Sequence, residues 1–269
     1  MTESMAEHEE EGRFARWELL AGSEGLRRLA QMRILVAGVG GVGSFAVEAL
    51  ARAGIGHLVL VDPDVICRSN LNRQIHALEE TIGRPKVEAM AERCLAINPG
   101  MTVTRYQIAR SAANAAELLN GDLAAALDCV DNISAKIQIM ETCHARGIPV
   151  FSAMGFAEKL DPCAITVSDL FETSNCRMAR VLRKELRRRG ISSGVTAVVS
   201  TEQSIPRRPV EPTPVHGPWQ RPALGSSSWI PPMAGLTMAG TVIRMLLKIS
   251  NDAGPRNRET EKPAGEFPV

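Results

Sequence analysis

Short apolar runs recur along the first half of the chain, at residues 33–37 (RILVA), 57–62 (HLVLVD), 102–108 (TVTRYQI), 125–130 (AALDCV) and 149–153 (PVFSA). Between them lie stretches with apolar residues every three or four positions, at 45–55, 85–97, 112–120 and 134–146. The first kind of run predicts buried strands and the second predicts helices packed by one face. Pro85 stands in the first turn of its helix, where its missing N–H costs nothing. Strand and helix alternate over roughly 120 residues, which predicts an α/β fold: a parallel sheet with helices on both faces. No internal repeat is visible.

The flanks follow other patterns. Residues 13–31 have helical composition interrupted by Gly22 and Gly25, and 163–170 (CAITVSDL) predicts another strand. Residues 176–189 predict a strongly basic helix. Six prolines between 205 and 222 exclude regular structure there. An apolar helix is expected over 233–249. Residues 1–12 and 251–269 are polar and expected to be disordered, which leaves one domain over 13–250 with a core at 33–153.

Composition narrows the class. With 269 residues, 45% hydrophobic and 23% charged, the chain has enough core to need no disulfide or metal staple. A net charge of +1 argues against attraction of the whole molecule to nucleic acid, while leaving room for a local basic patch. The six cysteines form no C-x-x-C pair, so zinc-ribbon spacing is absent and no zinc is expected. The N-terminus lacks an apolar signal region, and a reduced cytoplasmic protein is the default. The stretch from Met233 to Leu247 is short for a membrane span and contains Arg244, so a buried helix is expected rather than membrane insertion.

Directly after the first strand, AGVGGVGSFAVEAL places Gly38, Gly40, Gly41 and Gly43 before a helix. Glycines let the backbone turn tightly and approach phosphate, and a helix N-terminus offers unpaired N–H groups. Asp62 ends the next strand, where an acid suits a ribose hydroxyl. The loop indicates a nucleotide without separating a dinucleotide from ATP. Residues 62–86 separate them. Asp62, Asp64, Asn70, Asn72, Arg73, Gln74 and Lys86 fall within this short stretch. Hydride transfer has no use for cations here, whereas attack at an α-phosphate builds negative charge that Arg and Lys stabilise. Asp128 ends a further strand and Asp131–Asn132 follow it, where an Asp opposite phosphates suits Mg²⁺. Plainer readings stay open: Asp131 as a helix cap, Arg73 in a surface ion pair, Lys86 as an exposed helix charge.

The segment from RILVAGVGGVGSFAVEAL through DPDVICRSNLNRQIHALEETIGRPKVEAMAERCLAINP resembles the ThiF/MoeB superfamily, the bacterial relatives of ubiquitin-activating enzymes. NRQIHAL, GRPKVEAMAERCLAINP and VSTEQ (199–203) most resemble its tRNA threonylcarbamoyladenosine dehydratases. The resemblance implies a Rossmann-like, mostly parallel sheet completed by a C-terminal extension. It implies an enzyme that uses ATP and Mg²⁺ to adenylate the threonylcarbamoyl carboxylate of tRNA and drive its cyclisation. Gly38, Gly40, Gly41 and Gly43 would line the nucleotide loop, and Asp62 would bind the ribose. Asn70, Arg73, Gln74 and Lys86 match phosphate-facing positions, with Arg73 and Lys86 at the α-phosphate; Asp64 and Asn132 belong to the same expected ATP site. Asp131 matches the Mg²⁺-linked acid. Arg16 matches an arginine that reaches the neighbouring subunit's site, implying a homodimer. A sulfur-relay protein is a further partner the resemblance allows.

Residues 177–189 carry seven Lys or Arg and one acid. Arg177, Arg180, Arg183, Lys184 and Arg187 recur at helical steps and are candidates for tRNA phosphates, against the plainer reading of a solvated helix face. Phe151, Phe156 and Phe171 are the nearby aromatic candidates, with Phe151 assigned to the core. Cys163 and Cys176 lack an activating pattern, although Arg177 stands beside Cys176. The competing functions are activation of a small sulfur-carrier protein's C-terminus, an NAD-dependent oxidoreductase, and a non-catalytic tRNA-binding protein.

Overall fold

In the computed structural model, residues 12–108, 118, 121–206 and 224–249 are described. The expected helix near 112–120 (Leu118 apart), most of the Pro-rich segment and both terminal tails lie outside them.

Seven strands form one sheet: β1 (Arg33–Ala37), β2 (His57–Val61), β3 (Thr102–Tyr106), β4 (Ala125–Asp128), β5 (Val150–Ala153), β6 (Ile165–Asp169) and β7 (Val195–Ser200). Their order is β3-β2-β1-β4-β5-β7-β6. All pairs are parallel except β6 with β7. β7 is a strand the pattern above does not assign. It slots between β5 and β6, so the sheet is extended by an antiparallel edge.

The apolar runs are continuous because the central strands are covered on both faces. Ile34, Val36, Leu58, Leu60 and Leu127 point into one core, and Leu35, Ala37, Val59, Val61 and Ala126 into the other. The first core is closed by α2 (Gly43–Arg52), α3 (Lys86–Ile97) and the C-terminal helix. The second is closed by α4 (Ile133–Ala145) and α5 (Arg177–Arg187). The N-terminal helix α1 (Ala15–Ala30) breaks at Gly22, whose φ of 72° is costly for other residues, while Gly25 stays helical against Leu247.

The C-terminal helix α6 spans Ile230–Leu247, three residues earlier than expected at its start. Pro231 and Pro232 fit its first turn, where backbone N–H groups have no helical partner. Among the described residues it is the one helix long and apolar enough to cross a membrane, and 56% of it is buried inside the fold. It packs on α2 so closely that a Cβ on Gly235 would lie 2.2 Å from the Val42 carbonyl oxygen.

Gly235 and Gly240 share this helix, so alanine substitutions separate helix propensity from packing. Gly240 faces open space, and Gly240→Ala is expected to raise stability by about 0.5–1 kcal/mol. Gly235→Ala is expected to lower it by about 1–3 kcal/mol, because overpacking outweighs propensity. Urea denaturation of both variants measures the difference.

Candidate functional site

The four loop glycines divide into two roles. Gly38 has φ +88°, and a Cβ there would sit 2.7 Å from the Cys129 carbonyl oxygen. A Cβ on Gly43 would lie 1.8 Å from the Gly38 carbonyl oxygen. These two are demanded by backbone packing between the β1 and β4 ends and the start of α2. Gly40 and Gly41 instead border side chains. The nearest atom to a Cβ on Gly40 is Gln74 Nε2 at 3.8 Å, and a Cβ on Gly41 would lie 3.3 Å from Arg73 Cγ and 3.1 Å from Pro231 Cβ. The fold thus brings the glycine loop, the 70–76 loop and the start of α6 to the carboxyl end of the sheet, where ligands bind in open α/β folds.

Asp62 ties this edge together. Its Oδ2 accepts from the Val39 N–H at 2.7 Å and its Oδ1 from the Asp64 N–H at 2.9 Å. Burial pushes its carboxyl above the ordinary range, with Lys86 and the two N–H groups pulling the other way. Lys86, the first residue of α3, lies 2.7 Å from Asp64 Oδ2 and 3.7 Å from Asp62 Oδ1. Its side chain is 7% exposed, so it is a buried cation held by two carboxylates rather than a surface charge.

The loop after β2 is built on Asn70. Its Oδ1 accepts from the Cys67 N–H, and its carbonyl accepts from the N–H groups of Arg73 and Gln74. Arg73 Nη1 donates to two neutral acceptors, Ser69 O at 2.9 Å and Asn72 Oδ1 at 2.8 Å. A surface ion pair therefore does not describe it, and its half-burial lowers its pKa. Asn72 Nδ2 donates to Ser226 O at 2.9 Å, fastening this loop to the segment before α6. Gln74 and His76 are buried, and Gln74 Oε1 and both His76 ring nitrogens find no partner among the described residues. Burial, with Lys86 and Arg93 nearby, pushes the His76 imidazole down to about 4. Sequence reasoning passed over His76.

It also passed over Lys136. Asp128 and Lys136 are both 0% exposed and lie 3.0 Å apart. Lys136 Nζ also donates to Ala153 O at 2.6 Å, and Ser152 Oγ donates to Asp128 Oδ2 at 2.6 Å. This network joins the ends of β4 and β5 to α4, directly beneath the loop that carries Asp131. Asn132, not Asp131, caps α4, accepting from the Ala135 N–H at 3.0 Å. Asp131 stands exposed at the sheet edge.

Arg16 lies at the opposite end of the sheet. Arg13 donates to the carbonyl of Ile97, the last residue of α3, and Trp17 donates to the carbonyl of Ala53, just past α2. The length of α2, about 15 Å for ten residues, separates Arg16 from its own glycine loop. Leu19 and Leu20 beside it are each 78% exposed.

On α5, Ala179, Leu182 and Leu186 face the core, while Arg177, Arg180, Lys184 and Arg187 are exposed. Arg183 differs from the expectation of an RNA contact: its guanidinium folds inward onto Thr173 O at 2.8 Å and the Thr173 hydroxyl. The reason is its position beside the buried stripe, where it satisfies turn carbonyls. Arg187 lies 5.3 Å over the Phe171 ring. Phe151 and Phe156 are buried. Cys176 caps α5 with its sulfur and is buried, whereas Cys163 is exposed.

The ThiF family model matches residues 12–267. A Bacillus subtilis (strain 168) protein named tRNA threonylcarbamoyladenosine dehydratase is 39% identical over 240 residues, 87% of this chain and 94% of that protein. The crystal structure of Escherichia coli tRNA N6-threonylcarbamoyladenosine dehydratase in complex with ATP superposes with a TM-score of 0.79 at 32% identity. The superposition covers 88% of this chain and 94% of that one. A molybdopterin-synthase adenylyltransferase of Salmonella typhimurium is 39% identical over a shorter span, 48% of this chain and 51% of that protein.

Two outcomes follow from the buried groups. Below pH 6.5 the unfolded chain takes up a proton that the folded His76 site, at about 4, refuses. Stability therefore falls as pH drops through that window, by about 2–3 kcal/mol between pH 7.5 and 4.5. His76→Phe should remove this part of the acid sensitivity, read as the difference between the two proteins in urea unfolding at both pH values. Lys136→Met strands the Asp128 carboxylate in the core and should cost about 3–5 kcal/mol. The double variant Lys136→Met/Asp128→Leu should recover part of that loss in the same assay.

Proposed function

The chain belongs to the ThiF family, and from that premise we propose that it is an ATP-dependent tRNA threonylcarbamoyladenosine dehydratase. The observation that carries the reading is that two cations adjoin the glycine loop at one edge of the sheet. The half-buried guanidinium of Arg73, bonded to neutral acceptors, borders Gly41, and the buried ammonium of Lys86 pairs with Asp62, whose carboxylate accepts from the Val39 N–H of that loop. Similarity to the B. subtilis dehydratase over 94% of that protein's length supports it.

ATP would lie with its ribose toward Asp62 and its phosphates along Gly40 and Gly41, near Asn70 and Gln74. The threonylcarbamoyl carboxylate attacks the α-phosphorus and pyrophosphate leaves. A group within the same modified nucleoside then closes on the mixed anhydride and AMP leaves, so the nucleoside loses one water. Closure is intramolecular, so holding the substrate in place supplies much of the acceleration. Arg73 and Lys86 stabilise the charge that builds at the α-phosphate. Lys86 is held at rest by Asp64, whose exposed carboxylate can release it to a stronger anion. Asp131 would hold Mg²⁺, whose habit of taking one or two carboxylates plus phosphate and water oxygens suits a single exposed acid at this edge. Asn132 orients the same loop through its cap.

The RNA backbone would meet Arg177, Arg180, Lys184 and Arg187, with Arg183 supporting that helix from beneath. The active unit would be a homodimer. Arg16 stands too far from its own glycine loop to serve it and is flanked by the exposed Leu19 and Leu20, so it would complete the neighbouring subunit's site. A sulfur-relay protein would be an accessory partner, and a tRNA substrate fits a cytoplasmic enzyme.

The test is AMP release from radiolabelled ATP with tRNA that does or does not carry threonylcarbamoyladenosine, with the nucleoside weighed by mass spectrometry. Release should depend on the modified tRNA, coincide with loss of one water, and stop when Mg²⁺ is chelated. Arg73→Ala should lower the rate by about 10²-fold or more. No release with modified tRNA, but release with the C-terminus of a small sulfur-carrier protein, would transfer the assignment to carrier activation.

A further inference from the structure

We infer that Trp229 is a stacking platform for an unpaired base of the RNA substrate, an inference that rests on the dehydratase reading. Trp229 is the residue before α6 and is 44% exposed. Its ring is held in place: Nε1–H donates to the Leu160 carbonyl at 2.9 Å. Leu160 is itself anchored, its N–H donating to the Glu202 carboxylate at 3.0 and 3.1 Å, and the Asp161 N–H donates to the same carboxylate at 3.0 Å. Glu158, in the same loop, accepts from the Ile205 N–H and donates to Gly225 O, both at 2.8 Å. The loop after β5, the end of β7 and the approach to α6 are thus tied into one rim at the carboxyl edge of the sheet.

The rim is continuous with the nucleotide loop. Two residues past Trp229, Pro231 abuts Gly41, and Asn72 next to Arg73 bonds Ser226 three residues before it. A ligand at this rim meets a flat apolar ring with its one N–H already used, and Leu160 and Leu224, on the same tied segments, are 50% and 53% exposed. Beside that surface it meets a cation bonded to neutral acceptors. A planar base linked to anionic groups matches both features, and stacking suits a surface with no free hydrogen-bonding edge.

Two adenines are candidates, that of ATP and that of the modified nucleoside. Asp62, at the end of β2, draws the ATP ribose to one side of β1. Leu160 follows β5, and β2 and β5 are three strand spacings apart, about 14 Å. The Trp229 side of the crevice is therefore the substrate's side.

The experiment compares wild type, Trp229→Phe and Trp229→Ala. Steady-state kinetics on modified tRNA is paired with equilibrium binding of a fluorescein-labelled RNA stem-loop bearing threonylcarbamoyladenosine in its unpaired loop. Trp229→Ala should raise the KM and Kd for RNA about tenfold while the KM for ATP holds, and Trp229→Phe, which keeps a ring without the N–H, should recover most of the loss. Unchanged RNA affinity in Trp229→Ala would overturn the inference. So would a Phe variant as weak as Ala, which would mean the N–H anchor matters and the ring face does not. A raised KM for ATP would give the ring to ATP's adenine, and dissociation to monomers in sedimentation would give it to a second copy of the chain. Absence of turnover in wild type would defeat the dehydratase reading instead, and the stem-loop binding series would still report on Trp229.

Discussion

Gly43 sits so close to the Gly38 carbonyl that a Cβ would reach within 1.8 Å of its oxygen, and much of the site depends on that approach. It lets α2 begin directly beneath the end of β1. It presses the loop against the carbonyl of Cys129 on the neighbouring strand end and leaves the Val39 N–H aimed at Asp62. With the loop pulled down in this way, Gly40 and Gly41 form the floor on which Arg73, Gln74 and Pro231 converge. A side chain at Gly43 would displace the helix start and, with it, the loop that Arg73 borders.

Around that contact the site is built from buried charge. Lys86 with Asp62 and Asp64, and Lys136 with Asp128, are pairs in which at least one member is almost wholly out of water. Such pairs add little net stability over apolar packing, but losing one partner is costly. Their value here is geometric. The first pair holds a cation at the crevice under light restraint, because Asp64 is solvent-exposed. The second pins the ends of β4 and β5 under the Asp131 loop without facing the crevice itself. Cys94 and Cys129 add no reactive group to this arrangement. Burial pushes both thiols up to about 12, leaving them protonated and unreactive.

The proposed recognition surfaces lie apart in the fold. The basic face of α5 lies over the second core, on the opposite side of the sheet from α2 and α6, while Arg16 is displaced to the far end of α2. A substrate as extended as tRNA can touch a surface remote from the reacting nucleoside, and a second subunit can supply a residue that the same chain cannot bring to its own crevice. Trp229 sits on the rim of the crevice, bonded to the Leu160 carbonyl in the loop after β5.

Local pattern alone determined the alternating strands and helices, the glycine loop, the acid ending β2 and the clustering of Arg73 and Lys86 between that acid and the first residue of α3. Each follows from periodicity or from residue types adjacent in the chain. Tertiary structure decided the rest, because it depends on contacts between residues distant in sequence. The strand Val195–Ser200 belongs to the sheet because a gap beside β5 receives it. Gly38 and Gly43 differ from Gly40 and Gly41 only through what each meets in space. Lys136 reads as one more helix charge until Asp128 and Ser152 enclose it, and Arg183 reads like its basic neighbours until Thr173 takes its guanidinium inward. Trp229 meets Leu160 across 69 residues. Spacing along the chain carries no trace of that meeting, since it exists only once β5, β7 and α6 share one edge of the fold.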